Sequence, residues 1–246
     1  MPVLEVFGLS KTYPSFTLQD ISFRLDSGRI MGFIGRNGAG KTTTLKSILH
    51  IVHPDGGEIR YFGKSFADHE KEIKCKIGFA GGAVNYYPRK TIRELVDVTR
   101  LFYPTWNESD YRNYSELFSL SEEKTPAQLS EGMRVKLNLT LALSHKAELL
   151  ILDEPTSGLD PVSREELLEV FQYLRKQGIS ILFSTHITTD LEKCADDITY
   201  IAKGSMIASE PLDRFLHKCR EVGKGEDLET IMLNTEKESI YERIAR

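Results

Sequence analysis

Gly35-Arg36-Asn37-Gly38-Ala39-Gly40-Lys41-Thr42-Thr43 is the stretch that decides how this chain reads. It follows an apolar run, Ile30-Met31-Gly32-Phe33-Ile34, that reads as a buried strand, and it precedes Leu45-Lys46-Ser47-Ile48-Leu49, which reads as a helix. Strand, glycine-rich turn and helix in that order is the context in which such a loop wraps an anion. The glycines admit dihedrals and a close approach that a Cβ would block. Amides at the helix start face the anion, and the helix dipole favours its charge. Lys41 is placed to reach the outer phosphates of a nucleoside triphosphate, and the Thr42 hydroxyl to hold Mg²⁺. A mere glycine-rich turn with a surface lysine would not need all of these positions in this context.

Upstream of that loop the pattern is β-rich. Val3-Leu4-Glu5-Val6 alternates like a half-buried strand, and Phe16, Leu18, Ile21, Phe23 and Leu25 suggest one or two more. Asp26-Ser27-Gly28 and Pro54-Asp55-Gly56-Gly57 are turn signals, the second followed by a strand candidate at 58–62. Tyr13 lies here, and on its residues alone it can stack on a nucleobase or pack on the sheet.

Downstream, Ile77-Gly78-Phe79-Ala80 reads as a short strand, and the spacing from Thr91 to about Leu120 turns helical with a break at Pro104. The aromatic residues of that segment read as the core of a small helical lobe. Ser130 is a natural N-cap, and the helix after it carries two i,i+4 stripes, Met133-Leu137-Leu141 and Val135-Leu139-Leu143. Gly132 leaves its first turn bare, which makes a second anion-receptive helix start. Leu149-Leu150-Ile151-Leu152-Asp153-Glu154 is a buried strand ending in two carboxylates, where α/β proteins bind ligands. Asp160-Pro161 starts another helix, Asp as N-cap and Pro at the first position. Ile179-Ser180-Ile181-Leu182-Phe183 is a further buried strand, and His186 follows its carboxyl end. A closing hairpin turns at Lys203-Gly204-Ser205. Residues 221–227 read as a linker, with short terminal helices suggested by Leu228, Ile231 and Met232, then Ile240 and Ile244.

Composition narrows the class. A chain of 246 residues with 40% hydrophobic and 28% charged residues is an ordinary globular protein of one large α/β domain or a core with a smaller lobe. A net charge of -4 provides no basic footprint, so nucleic acid is not expected as a partner. No apolar run reaches the roughly 20 residues that span a bilayer, and no signal peptide is evident. Three cysteines without a Cys-x-x-Cys pair fit a reducing cytosol.

With these pieces in place, residues 3–213 resemble the nucleotide-binding subunit of an ABC transporter. Residues 35–43 are similar to the Walker A loop, 149–154 to Walker B with its catalytic glutamate, and 157–160 to the D-loop. His186 matches the switch histidine, and Leu129-Ser130-Glu131-Gly132-Met133 the Leu-Ser-Gly-Gly-Gln signature. The resemblance implies a P-loop NTPase (RecA-like) core, an antiparallel β subdomain and an inserted α-helical subdomain at about 89–145. It implies an ATPase domain at 1–215 and a C-terminal extension at 216–246. Tyr13, Gly35, Arg36, Asn37, Gly38, Ala39, Gly40, Lys41, Thr42 and Thr43 would hold ATP. Ser130, Gly132 and Asp160 would complete the site on a second copy or close paralogue. Thr42 and Asp153 would hold Mg²⁺, and Glu154, His186 and Lys41 would carry hydrolysis. The partner implied is a separately encoded permease of the exporter type, which would place the chain at the cytoplasmic side of the cell membrane. Two departures stand out: Glu131 and Met133 replace a glycine and the glutamine of the signature, and Gly82 stands where the family has a sensing glutamine. A soluble ABC ATPase that remodels other assemblies, or a binding module with weak hydrolysis, are the other readings.

Overall fold

The computed structural model describes residues 1–81, 87 and 89–236. The first two strands, β1 (Pro2–Tyr13) and β2 (Phe16–Asp26), form one antiparallel hairpin, longer than the alternation at its start suggests. β3 (Ile30–Ile34) is buried along its whole length and leads through the glycine loop into α1 (Lys41–Ile48). Next come β4 (Gly56–Tyr61), β5 (Lys64–Ser65), α2 (Phe66–Lys76) and β6 (Ile77–Gly81). Gly82, which stands in place of the sensing glutamine, lies outside the described residues, as do Ile240 and Ile244.

Three helices follow: α3 (Ile92–Phe102), α4 (Glu108–Leu117) and α5 (Glu131–Ser144). Each start is capped by a side chain. Thr91 and Glu94 form a reciprocal capping box, and Asn107 accepts from the amides of Ser109 and Asp110. Ser130 accepts from the Met133 amide at 3.3 Å. Strand β7 (Leu149–Asp153) precedes α6 (Pro161–Lys176), β8 (Ser180–Thr185), α7 (Thr188–Cys194) and the hairpin of β9 (Asp197–Ala202) and β10 (Ser205–Pro211). α8 (Leu212–Glu221) and α9 (Leu228–Glu236) close the described chain. The boundary drawn after residue 215 falls inside α8, whose Phe215 and Cys219 are buried in the main core together with Leu228 and Ile231 of α9.

The ten strands of the described residues join one sheet in the order β5-β4-β1-β2-β10-β9-β3-β8-β7-β6. The antiparallel end joins the rest of the sheet where β2 pairs parallel with β10, Ser205 with Gln19, and β10 in turn pairs antiparallel with β9. Within the core, β6, β7, β8, β3 and β9 run parallel in a register that pairs Gly81 with Asp153, Asp153 with Ser184, and Ile34 with Thr185. The carboxyl ends of four strands therefore finish side by side, which is where an open parallel sheet offers a crevice for a ligand.

Both faces of the core strands are covered, as their unbroken apolar runs require. Ile30, Leu150, Leu152 and Phe183 face α6, α7 and the C-terminal helices, while Met31, Phe33, Ile151 and Leu182 face Leu45 and Ile48 of α1. A third cluster, Ile92, Leu95, Val96, Tyr111, Leu129, Leu137 and Leu141, fills the helical lobe with Trp106 against it. The two stripes of α5 separate cleanly: Leu137 and Leu141 serve the lobe, Leu139 and Leu143 the main core. Not every aromatic of that segment is core. Phe102 is exposed, and Tyr103 stacks on His145 with ring centroids 3.9 Å apart. Phe102 and Tyr103 line a largely apolar groove of about 1020 Å³ between the lobe and α1–α2, with Ile51, Phe66, Phe79 and Val98.

Candidate nucleotide-binding site

The glycine loop sits at the end of β3 and is held there by close backbone packing. A Cβ on Gly35 would drive into the Ile201 carbonyl oxygen of β9, and the Gly204 amide donates to Ala39 O at 3.0 Å. Gly40 is the N-cap of α1 at φ 115, a conformation that a side chain strongly disfavours. The α1 amides that follow open into a cavity of about 590 Å³ lined by Ser15, Phe16, Arg36, Asn37, Gly38, Gly40, Lys41, Thr42, Thr43, Glu154, Ser157 and His186.

Lys41 is 6% exposed and donates to Gly35 O at 2.7 Å, which folds its side chain back over the loop. Its Nζ lies 3.2 Å from Glu154 Oε1. Glu154 Oε2 in turn accepts from His186 Nδ1 at 2.8 Å. One carboxylate thus bridges the loop lysine and the histidine beyond β8. Glu154 stands just past the end of β7 at φ 53, a left-handed conformation uncommon for a non-glycine residue and frequent at functional sites. Ser184 secures it: the Glu154 amide donates to Ser184 Oγ at 2.9 Å, and that hydroxyl donates to Asp153 Oδ1 at 2.6 Å. Thr42 Oγ1 donates to the same Asp153 oxygen at 3.2 Å. Sequence reasoning did not assign Ser184 a role. Its signal was a small hydroxyl closing an otherwise apolar buried run.

Thr42 and Asp153 offer a hydroxyl and a carboxylate on one spot. No group of three or more His, Cys, Asp or Glu side chains among the described residues is arranged to hold a metal. Two protein oxygens beside a phosphate loop suit Mg²⁺, which keeps waters and binds through one carboxylate and substrate phosphates rather than through a protein cage.

The remaining expected residues do not all converge. Ala39 is buried beneath the loop. Tyr13, 37% exposed, is outside the cavity lining, with Lys11 Nζ 5.8 Å from its ring centroid. Its partner across the hairpin, Phe16, lines the cavity instead, close enough to Gly40 to touch a Cβ placed there. Ser130 and Gly132 begin α5 away from the lining, with Gly132 facing Leu159. Glu131 leans over Gly158, whose absent side chain leaves room for its carboxylate. Asp160 caps α6, taking the amides of Val162 and Ser163 and the Ser163 hydroxyl at 2.6 Å. Those bonds, the hydroxyl's first, hold its carboxyl below the usual range.

Arg36 and His186 also border a second cavity of about 830 Å³, closed by Glu229, Met232, Leu233 and Glu236 of α9. Glu236 accepts from Tyr200 OH at 2.7 Å and lies 3.9 Å from Arg36. The smaller cavity is the one lined by the glycine loop, Lys41 and Glu154.

Parallel-sheet order, glycine loop, buried lysine and strand-end carboxylates together define a P-loop nucleotide-binding protein. A sequence model described as ABC transporter matches residues 18–157, more than half of the chain. The chain is 33% identical over 223 residues to the bacitracin transport ATP-binding protein BcrA of Bacillus licheniformis, covering 89% of this chain and 73% of that protein. It is 32% identical to the Nod factor export ATP-binding protein I of Ralstonia nicotianae, covering 88% and 70%. A solved ATP-binding subunit of an ABC transporter superposes with a TM-score of 0.82 at 30% identity, over 96% of this chain and 100% of that one. The chain belongs to the ABC transporter family, as an ATP-binding subunit.

Proposed function

We propose that this chain hydrolyses ATP and passes the resulting conformational work to a membrane permease. The observation that carries the proposal is the bridge Lys41–Glu154–His186, at 3.2 and 2.8 Å, over a loop shaped for phosphates. ATP enters with its phosphates along 35–43, Tyr13 stacked on the base and Phe16 beside it. Lys41 then exchanges Glu154 for phosphate oxygens, which frees the carboxylate to orient or deprotonate the attacking water while His186 contacts the outer phosphate. Thr42 and Asp153 would hold Mg²⁺, which when bound neutralises charge on the phosphates.

Ser130 and Gly132 lie off the lining of the chain's own cavity. Their capped, glycine-opened helix start is suited to the loop of a second copy or close paralogue, with Asp160 steadying the segment between. A site assembled from two chains confines hydrolysis to the closed pair. The groove faced by Phe66, Phe79, Val98 and Phe102 is the surface we assign to the permease. No helix among the described residues is long and apolar enough to cross a membrane, so attachment at the cytoplasmic side would come through that partner. The name of the Ralstonia relative, a Nod factor export protein, favours export. The division into an ATPase unit at 1–215, with its helical part at about 89–145 and a short extension after it, belongs to the same reading.

Phosphate release with Mg²⁺ and ATP tests the proposal. Wild type should turn over, and Glu154→Gln should bind ATP, release no phosphate and accumulate as a nucleotide-bound dimer. Wild-type-like release from that variant would sink the assignment of Glu154. Absence of release from wild type with ATP bound would leave the binding-module reading standing.

A further inference from the structure

Behind the site, three polar atoms are buried without a completed hydrogen bond: Thr156 Oγ1, Arg164 Nε and Asp190 Oδ2. They belong to three segments. Thr156 is fully buried two residues beyond Glu154. Arg164 lies in α6, its Nη2 donating to Leu159 O at 3.3 Å. Asp190, 1% exposed, lies in α7 four residues beyond His186. The Thr156 hydroxyl lies within hydrogen-bonding range of the Asp190 carboxylate and lowers it, as the charge of Arg164 does, but neither completes an aligned bond to Oδ2. Burial raises the Asp190 carboxyl, opposed by Thr156, Arg164 and Lys193 and reinforced slightly by Glu165. Lys193 is itself paired with Glu165. On its backbone side Asp190 donates its amide to Ile187 O at 3.3 Å and accepts from the Cys194 thiol at 3.2 Å.

Leaving such atoms unpaired costs the full desolvation of each buried polar group. An apolar group of the same shape would fill Thr156's place without that cost, so a filling role alone does not account for the hydroxyl. The three groups are complementary. A Thr hydroxyl and an Arg N–H donate, and a carboxylate oxygen accepts from both. A small shift of the loop 156–160 against α7 would align the Thr156 hydroxyl with Asp190. That loop begins at the site itself, since the Ser157 amide donates to Glu154 O at 3.2 Å.

We propose that Asp190 is a positioning residue: when the loop 156–160 closes, Asp190 completes its hydrogen bond with Thr156, beside the charge of Arg164, and locks the segment after Glu154 to the segment after His186. The proposal rests on the hydrolysis reading and adds to it how two strand-end groups are held in one geometry. Misplacing such groups by about 1 Å costs on the order of 100-fold in rate.

The test compares Thr156→Val, which keeps the shape and removes the hydroxyl, with Thr156→Ser, which restores it, in the full chain. With Mg²⁺ and ATP, T156V should lower kcat by about 10- to 100-fold. Its KM should stay within about 2-fold of wild type, and its melting temperature should be equal or higher. T156S should regain most of the lost kcat, and Asp190→Asn should behave as T156V does. Amide exchange provides a readout without turnover: ATP should protect residues 187–191 in wild type and T156S but not in T156V. A T156V chain with wild-type kcat and wild-type protection overturns the proposal, as does a kcat loss that follows a lowered melting temperature in T156V and T156S alike. A wild type without turnover marks failure of the hydrolysis reading. The exchange comparison then decides, and equal protection in T156V and T156S overturns the positioning role.

Discussion

Replacing Glu154 by Gln should tighten the grip on a non-hydrolysable ATP analogue as well as stop turnover. Lys41 is nearly sealed from solvent, and its Nζ is 3.2 Å from Glu154 Oε1. The gross attraction at that distance is about 5 kcal/mol at an effective dielectric constant of about 20. Desolvation cancels much of it, leaving a charge-assisted bond of about 1.5–3 kcal/mol net. Phosphate oxygens must displace that bond, because the lysine cannot face both partners. The Gly35 carbonyl bond at 2.7 Å is present with or without Glu154 and drops out of the difference. Removing the carboxylate's charge should therefore improve Kd by about 10-fold or more, with 1.4 kcal/mol corresponding to each factor of 10. Isothermal titration of wild type and E154Q with the Mg²⁺ analogue measures this directly. An E154Q chain that melts like wild type and binds the analogue no more tightly would refute the view that Glu154 guards the lysine.

Two further predictions concern the loop and the base. Gly35→Ala should lower the melting temperature by about 6–12 °C, from an overlap with the Ile201 carbonyl of about 3 kcal/mol. Gly38→Ala, at φ 82 with open space around it, carries only the positive-φ cost of about 1 kcal/mol, so equal melting of the two would refute the close-packing account. Tyr13→Ala should weaken ATP binding by about 10-fold without changing stability, as base stacking contributes about 1–3 kcal/mol. Phe16→Ala should lower stability as well, because its ring rests on Gly40. Unchanged ATP affinity in Y13A would assign the base to Phe16.

The parallel core was legible because its physics is local. Five-residue runs such as 30–34 and 149–153 carry apolar side chains to two covered faces, and glycine, proline and acidic punctuation marks their ends. Asp153, Glu154 and His186 were expected for the same reason, at or just past the carboxyl end of such a run, and Lys41 and Thr42 because they follow the glycine loop that leaves 30–34. α2 was missed because charged residues dominate it and only Ile73 is buried, and α7 because seven residues are too few to show a period. The pairing of β2 with β10 depends on a contact between distant segments, to which periodicity is blind. Phe16 shows the same limit: whether it or Tyr13 enters the cavity is set by the twist of a hairpin. The direction taken by Glu131, over Gly158, follows from a missing side chain on another loop.

The two stripes of α5 have a mechanical consequence. With Leu137 and Leu141 rooted in the lobe and Leu139 and Leu143 in the main core, the helix cannot roll about its axis without opening one core or the other. It can tilt, and its 14 residues make a rod about 21 Å long. Ser130 caps one end, and His145, stacked on Tyr103 in the apolar groove, follows the other. A pull of a few tenths of an ångström at the capped end is thus delivered as leverage at the groove, without any side chain along the way changing its rotamer.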